Sequence, residues 1–269
     1  VFLKSPPPGI GSVRGTSMSK NAFEKSVLKD MSRYALRRRI LDQFSYNSEM
    51  RGFTLPGKAF AFEADISRDY GDRIKLYGVE KSPDVYRKAL KLIKHAGIPM
   101  ELSREDDLKY WGRPAKEKLN FVWLDYCAQW SSHQNKAIES LLENEHLSFK
   151  KANPIVALTV MASREPKASE LVDEIYVDHL SRGGSPNEFN LCEARRVGIP
   201  RAINRSACRF DVTFVPQFIM KYHDVVRSKQ ANPMMLFVFE VMRGEWEVNK
   251  NRIPFIDADA RREKDIVFH

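Results

Sequence analysis

A chain of 269 residues that is 43% hydrophobic and 11% aromatic can bury a full core, so one globular domain with appendages is expected. Its formal charge of +9 and pI near 9.4 favour a polyanionic partner, with ordinary solubilising surface charge as the plain alternative. Three cysteines with no CxxC pair suggest neither a disulfide framework nor a zinc site, and point to a cytoplasmic or other reducing compartment. The longest apolar runs, Pro154 to Ala162 and Met234 to Phe239, are too short to span a membrane.

Taken in chain order, Val1 to Ser17 is rich in Pro, Gly and Ser and precedes Met18-Ser-Lys-Asn, which reads as a leader or disordered arm. Apolar residues at Phe23, Val27, Met31, Tyr34, Leu41 and Phe44 predict an amphipathic helix interrupted by Arg37, Arg38 and Arg39. Residues 1–55 hold ten Lys/Arg against four Asp/Glu, so 18–55 is expected to be a basic helical extension. After Pro56-Gly57, the segment Lys58 to Glu63 reads as a short strand and Arg73 to Val79 as the next. Asp84 to Ala96 is a helix with Val85, Ala89, Leu92, Ile93 and Ala96 on one face, stopped by Gly97.

Met100 to Leu102 is a brief strand, Asn120 to Leu124 a buried one, Asn135 to Leu142 a helix and Pro154 to Met161 another buried strand. Ser181 to Arg209 is polar, carries Arg-Gly-Gly-Ser-Pro and five further arginines, and is expected to lie over the sheet edge within an insertion at about 167–209. Asp211 to Tyr222 and Met234 to Met242 are joined so briefly that they should be antiparallel neighbours. Strands alternating with helices predict an α/β domain over 56–269, a mostly parallel sheet with helices on both faces.

The acid that closes Tyr77-Gly-Val-Glu80-Lys81-Ser-Pro stands at a strand's carboxyl edge, where ligands of open α/β sheets bind and where a carboxylate can accept from ribose hydroxyls. A surface acid near the start of the following helix is the alternative. The six histidines show no HxxxH spacing or Cys/His cluster, so no metal site is indicated. Neither a GxSxG elbow nor a GxxxxGK[ST] loop is present, which argues against a hydrolase of that type and a P-loop enzyme.

From Phe60 to about Met242 the order of motifs resembles class I S-adenosylmethionine-dependent methyltransferases. The resemblance implies a seven-stranded Rossmann-like sheet with an antiparallel C-terminal pair, and S-adenosylmethionine as cofactor. It assigns Glu80 and neighbouring Lys81 to the ribose, Asp106 or Asp107 in Ser103-Arg-Glu-Asp-Asp-Leu to the adenine, and Glu63, Ala64 and Asp65 to the methionine end. The chain departs from the pattern where Asp65 and Ile66 stand in place of turn glycines, which let a backbone approach its ligand.

Asp125-Tyr126-Cys127 occupies the place of the motif that faces the methyl group. Asp125 with Tyr126 has the residue types of a carboxylate acceptor and a stacking ring for a base amine. Cys127 reads either as a C5-methylating nucleophile or as a buried structural cysteine. Trp123 reads as core and Trp130 as a pocket wall. Arg37, Arg38, Arg39, Arg195, Arg196, Arg201 and Arg205 are candidate phosphate contacts, because a guanidinium presents a bidentate fork to phosphate oxygens. The function expected is methyl transfer to a DNA or RNA base. The alternative is a catalytically inactive relative that binds nucleic acid or serves in assembly.

Overall fold

The computed structural model describes residues 27–45, 48–56, 60–126, 128–162, 181, 183, 185, 191–225, 231–244 and 253–258. The leader assigned to 1–17, most of the presumed insertion before residue 191, and Cys127 lie outside them. The helices are α1 (Val27–Gln43), α2 (Ala61–Tyr70), α3 (Pro83–Ala96), α4 (Asp107–Trp111), α5 (Ser132–Glu143) and α6 (Leu191–Ala207). The strands are β1 (Met50–Thr54), β2 (Ile74–Val79), β3 (Met100–Ser103), β4 (Phe121–Asp125), β5 (Ile155–Met161), β6 (Val212–Val225), β7 (Ala231–Arg243) and β8 (Phe255–Asp257).

These strands make one sheet in the order β3-β2-β1-β4-β5-β7-β6-β8. Only β7 runs against the rest, pairing antiparallel with β5 on one side and β6 on the other. The expected α/β class and antiparallel C-terminal pair are therefore present, and the sheet has eight strands rather than seven because β8 adds in parallel beside β6.

Central strands are apolar on both sides because helices cover both faces. In β4, Phe121 and Trp123 join a core with Leu36 and Ile40 of α1, Phe62 and Ile66 of α2, and Ala89 and Ile93 of α3. Val122 and Leu124 face the other way, toward Trp111, Ile138, Leu141, Ile199 and Ile203 from α4, α5 and α6.

Three expectations are corrected. The described part of the segment Lys58 to Glu63 is not a strand: Ala61 to Tyr70 is helical, and its buried Phe62, Ile66 and Tyr70 recur every fourth residue. The first strand is instead Met50–Thr54, so the boundary expected at residue 56 cuts a strand off its own sheet. It was inconspicuous because its five residues include Arg51 and Gly52, and glycine is depleted in strands. The polar stretch expected over the sheet edge contains α6, whose buried Arg195, Ile199, Ile203 and Ala207 form a stripe at four-residue spacing despite Pro200 inside the helix.

Gly52 has a steric reason. A Cβ there would meet the Phe121 ring at 2.1 Å, and that ring is fully buried. Gly52→Ala should therefore destabilise the fold by about 1–3 kcal/mol, each worth about 2–4 °C in Tm, as read by thermal unfolding. An unchanged Tm would show that the β1–β4 contact repacks freely.

Candidate functional site

In the parallel part of the sheet, β1 is hydrogen-bonded to β2 on one side and β4 on the other, so the chain's winding reverses there. Connections leaving β1 and β4 at such a point part in opposite directions and open a crevice at the strands' carboxyl ends. Thr54 ends β1 and Asp125 ends β4, while Glu80 follows β2 and Asp106 and Asp107 follow β3. The sheet thus brings Glu80, Asp106, Asp107, Asp125 and Tyr126 to one edge, as their order in the chain implied.

Glu80 is half-buried, and its backbone N–H donates to Ser103 O at 3.0 Å, tying the ends of β2 and β3 together. One carboxylate oxygen accepts from Ser82 N at 2.7 Å; the other accepts no hydrogen bond among the described residues. The cap of α3 is Ser82 rather than Glu80, so helix capping does not account for this acid. Gly78 precedes it because a Cβ there would lie 2.8 Å from Thr54 O and 3.3 Å from Pro56 Cδ, blocking the exit of the chain from β1. Lys81 is exposed beside it.

The two aspartates after β3 have different surroundings. Asp106 caps α4, accepting from Leu108 N at 3.1 Å. Asp107 is buried and holds two neighbours: the Tyr126 hydroxyl donates to Oδ2, and His133 Nε2 lies 2.9 Å from Oδ1. Burial, and then the adjoining Asp107 carboxylate, push the Tyr126 phenol far above its ordinary range, so it stays protonated and donating. Among the described residues, Asp106, Asp107 and His133 are the one group whose donor atoms cluster closely enough to hold a metal ion, all within 4.8 Å. The contacts of Asp107 to Tyr126 and His133 already account for its burial. His133 was not anticipated, because it meets Asp107 only through the fold.

On the other side of the crevice, Glu63 projects from the first turn of α2 and is 2% exposed. Burial pushes its carboxyl up to about 7; the neighbouring Thr54 hydroxyl and Arg33 pull the other way, and Asp125 adds to the rise. Glu63 Oε1 and the equally buried Thr54 Oγ1 lie close enough for the hydroxyl to act on the carboxyl, but neither meets hydrogen-bond geometry with any described residue. Lys29, from the first turn of α1, reaches to 3.9 Å from Asp125 Oδ2. Thr54 and Lys29 were not anticipated, since their strand and helix end had not been read as part of the site. Ala64 is half-buried against the α1–α2 core. Asp65 points away, pairing with Arg37 at 3.3 Å and Arg68 at 3.1 Å, so it does not join Glu63 at the crevice.

The turn expected to need glycine is also displaced. Residues 55–60, Leu-Pro-Gly-Lys-Ala-Phe, connect β1 to α2 and contain one glycine. Phe60 at its end is left-handed, with φ of 51°, a conformation that costs a non-glycine residue roughly 1–2 kcal/mol. Its ring, 3% exposed in the core, offsets that strain. Trp123 lies in the core as expected, its indole donating to Thr159 Oγ1 at 3.0 Å, and Trp130 is buried at 7% exposure rather than lining an open wall.

The arginines expected to meet phosphate are mostly engaged within the molecule. Arg37 pairs with Asp65 and Asp69, Arg38 with Asp42, and Arg39 with Glu240 at 2.9 Å. Arg195 is 2% exposed and donates to Met161 O at 2.8 Å, so it is not a surface contact. Arg196 stacks over Phe255 at 5.4 Å, while Arg201 is half-buried and Arg205 exposed. No helix among the described residues is long and apolar enough to cross a membrane.

The strand order with a single reversed strand is that of a mostly parallel, Rossmann-like α/β sheet, with acids at its carboxyl edge. No protein-family model and no curated protein matches its sequence. Among solved structures it is similar to a protein from Pyrococcus horikoshii described as a transferase, at 12% identity and TM-score 0.46, over 79% of this chain and 64% of that one. The chain therefore spans less than two thirds of that protein's length. It is also similar to an S-adenosylmethionine-dependent O-methyltransferase from Thermotoga maritima, at 14% identity and TM-score 0.42, over 81% and 67% of the two chains. A third is TYW2 of M. jannaschii, solved with AdoMet, at 13% identity and TM-score 0.43, over 78% and 77%. All three are remote.

Glu63 makes a distinct claim about stability. Between about pH 4.5 and 7 the folded protein keeps a proton that the unfolded chain releases, so this group's contribution falls by about 3 kcal/mol as pH rises through that window. Glu63→Gln should remove the fall: urea unfolding at about pH 5 and pH 8 should show the variant gaining on the wild type at the higher pH. An identical pH dependence in both proteins would contradict the assignment.

Proposed function

We propose that this protein is an S-adenosylmethionine-dependent methyltransferase that acts on nucleic acid. The observation that carries the reading is Glu80, half-buried at the carboxyl end of β2 beside the sheet's reversal point, with one carboxylate oxygen that accepts no hydrogen bond among the described residues. That position suits a ribose, whose paired hydroxyls would donate to the carboxylate. Of the two acids after β3, Asp106 suits the adenine better, because Asp107 is already engaged by Tyr126 and His133. Glu63 Oε1 and Thr54 Oγ1, buried without partners among the described residues, fit a polar group at the methionine end.

When bound, the cofactor supplies an electrophilic methyl group; the chain's own work is to position an acceptor and keep water away. Asp125 would accept a hydrogen bond from the acceptor, its carboxylate kept close to Lys29. Tyr126, with its hydroxyl tied to Asp107, would hold its ring in one orientation beside a base. The overall charge of +9 supports a polyanionic substrate. One observation favours a second reading, a non-catalytic nucleic-acid-binding protein of the same fold: residues 55–60 offer one glycine where a ligand's approach favours several.

Calorimetric titration with S-adenosylmethionine and S-adenosylhomocysteine separates the two. Binding is expected, and Glu80→Ala should weaken it by about tenfold or more, as the loss of hydrogen bonds to a charged acceptor implies. Absence of binding at about millimolar ligand by the folded protein would overturn the enzymatic reading, and an unchanged affinity in the variant would overturn the ribose assignment.

A further inference from the structure

The positive charge of this chain is distributed in two different ways. In the described part of residues 27–55 there are six cations, Lys29, Arg33, Arg37, Arg38, Arg39 and Arg51, and every one is paired with an acid: Asp125, Asp30, Asp65 with Asp69, Asp42, Glu240 and Glu117 respectively. Residues 81–95 behave otherwise. They hold five Lys/Arg and one Asp, a net +4 of the chain's +9. Arg87 pairs with Asp84, but Lys81, Lys88, Lys91 and Lys94 are exposed and make no ion pair among the described residues.

Helical geometry gathers them. Ala89 and Ile93 anchor α3 on the sheet, and at about 100° per residue Arg87, Lys88, Lys91 and Lys94 fall within an outward arc of about 120°. From Lys88 to Lys94 the helix rises about 9 Å, the axial span of roughly three phosphates on one strand. The helix follows directly on Glu80, so its cationic face begins at the edge that carries the candidate site.

We propose that the outer face of α3, through Lys88, Lys91 and Lys94, binds the phosphate backbone of a nucleic acid. The choice of nucleic acid as substrate rests on the function proposed above; the surface itself rests on the unpaired lysines. An anionic membrane fits less well. Leu90 and Leu92, 41% and 42% exposed, lie about 160° apart around the helix, on opposite flanks of the lysines, so no continuous apolar stripe is available to enter a bilayer.

Fluorescence anisotropy with ~20-nucleotide single-stranded RNA and duplex DNA, between about 50 and 200 mM salt, tests the surface. For the full chain, affinity should fall steeply with salt. The triple variant Lys88→Gln/Lys91→Gln/Lys94→Gln should bind about tenfold or more weakly, with the slope of log K against log salt reduced by about two to three. Lys136→Gln, on α5 across the sheet, should change neither. Retention of the wild-type slope by the triple variant, no salt-dependent binding by the wild type, or binding to phosphatidylserine vesicles in place of nucleic acid would each overturn the proposal. S-adenosylhomocysteine titration of the same proteins keeps the two readings apart. A lysine-dependent slope without cofactor binding would leave this surface standing and remove the methyltransferase, and the opposite pair of results would do the reverse.

Discussion

The reversal of winding at β1 is the constraint on which the arrangement depends. Connections run one way across the sheet from β1 through β2 to β3 and the other way from β4 to β5, so those leaving the adjacent β1 and β4 part at the carboxyl edge. Thr54, Glu80, Asp106 and Asp125 become neighbours for that reason, although they span more than seventy residues of chain. The geometry is maintained by close approach: the far end of the Phe121 ring lies against Gly52, and Pro56 lies close to Gly78. Larger side chains at either glycine would push β1 away from a neighbour and widen the crevice.

The same crevice explains an unusual concentration of polar groups at low exposure. Glu63 and Thr54 are buried between β1 and α2 with oxygens unpartnered among the described residues, an arrangement that costs stability by itself. Opposite them Asp107, Tyr126 and His133 form a bonded group at the ends of β3, β4 and the start of α5. One side of the edge is thus internally satisfied and the other is not, and the unsatisfied side lies beneath the first turns of α1, which bring Lys29 and Arg33. Partly satisfied polar sites in otherwise well-packed cores are where function is to be sought.

Charge shows how little a total reveals about a surface. The arginine run Arg37-Arg38-Arg39 looks like a phosphate contact, but α1 lies across one sheet face and turns these side chains toward Asp65, Asp69, Asp42 and Glu240. Gln43 and Asn153 join Arg39 on the same Glu240 carboxylate, at 3.2 and 2.8 Å, pinning the end of α1 to the amino end of β5. The lysines of α3 attracted less notice in the sequence because they are spaced among apolar residues. That spacing is what gathers them on one face.

Sequence alone determined the elements whose signals are local. The apolar runs of β4 and β5, the capped and glycine-terminated α3, and the brief connection that makes β6 and β7 antiparallel were all legible, as was the position of Glu80 at a strand's end. Tertiary structure decided what depends on partners far apart in the chain. β1 is a strand, despite Arg51 and Gly52, because β2 and β4 flank it; Ala61 to Glu63, read as the end of a strand, open the helix α2 with its four-residue stripe. The arginines of α6 hid a stripe that includes Arg195 itself, buried because Met161 O satisfies its guanidinium. Periodicity records which face of an element is apolar. Which acid meets which base or ring, as Asp107 meets Tyr126 and His133, depends on the order in which strands are laid side by side, and that order is a property of the packed sheet.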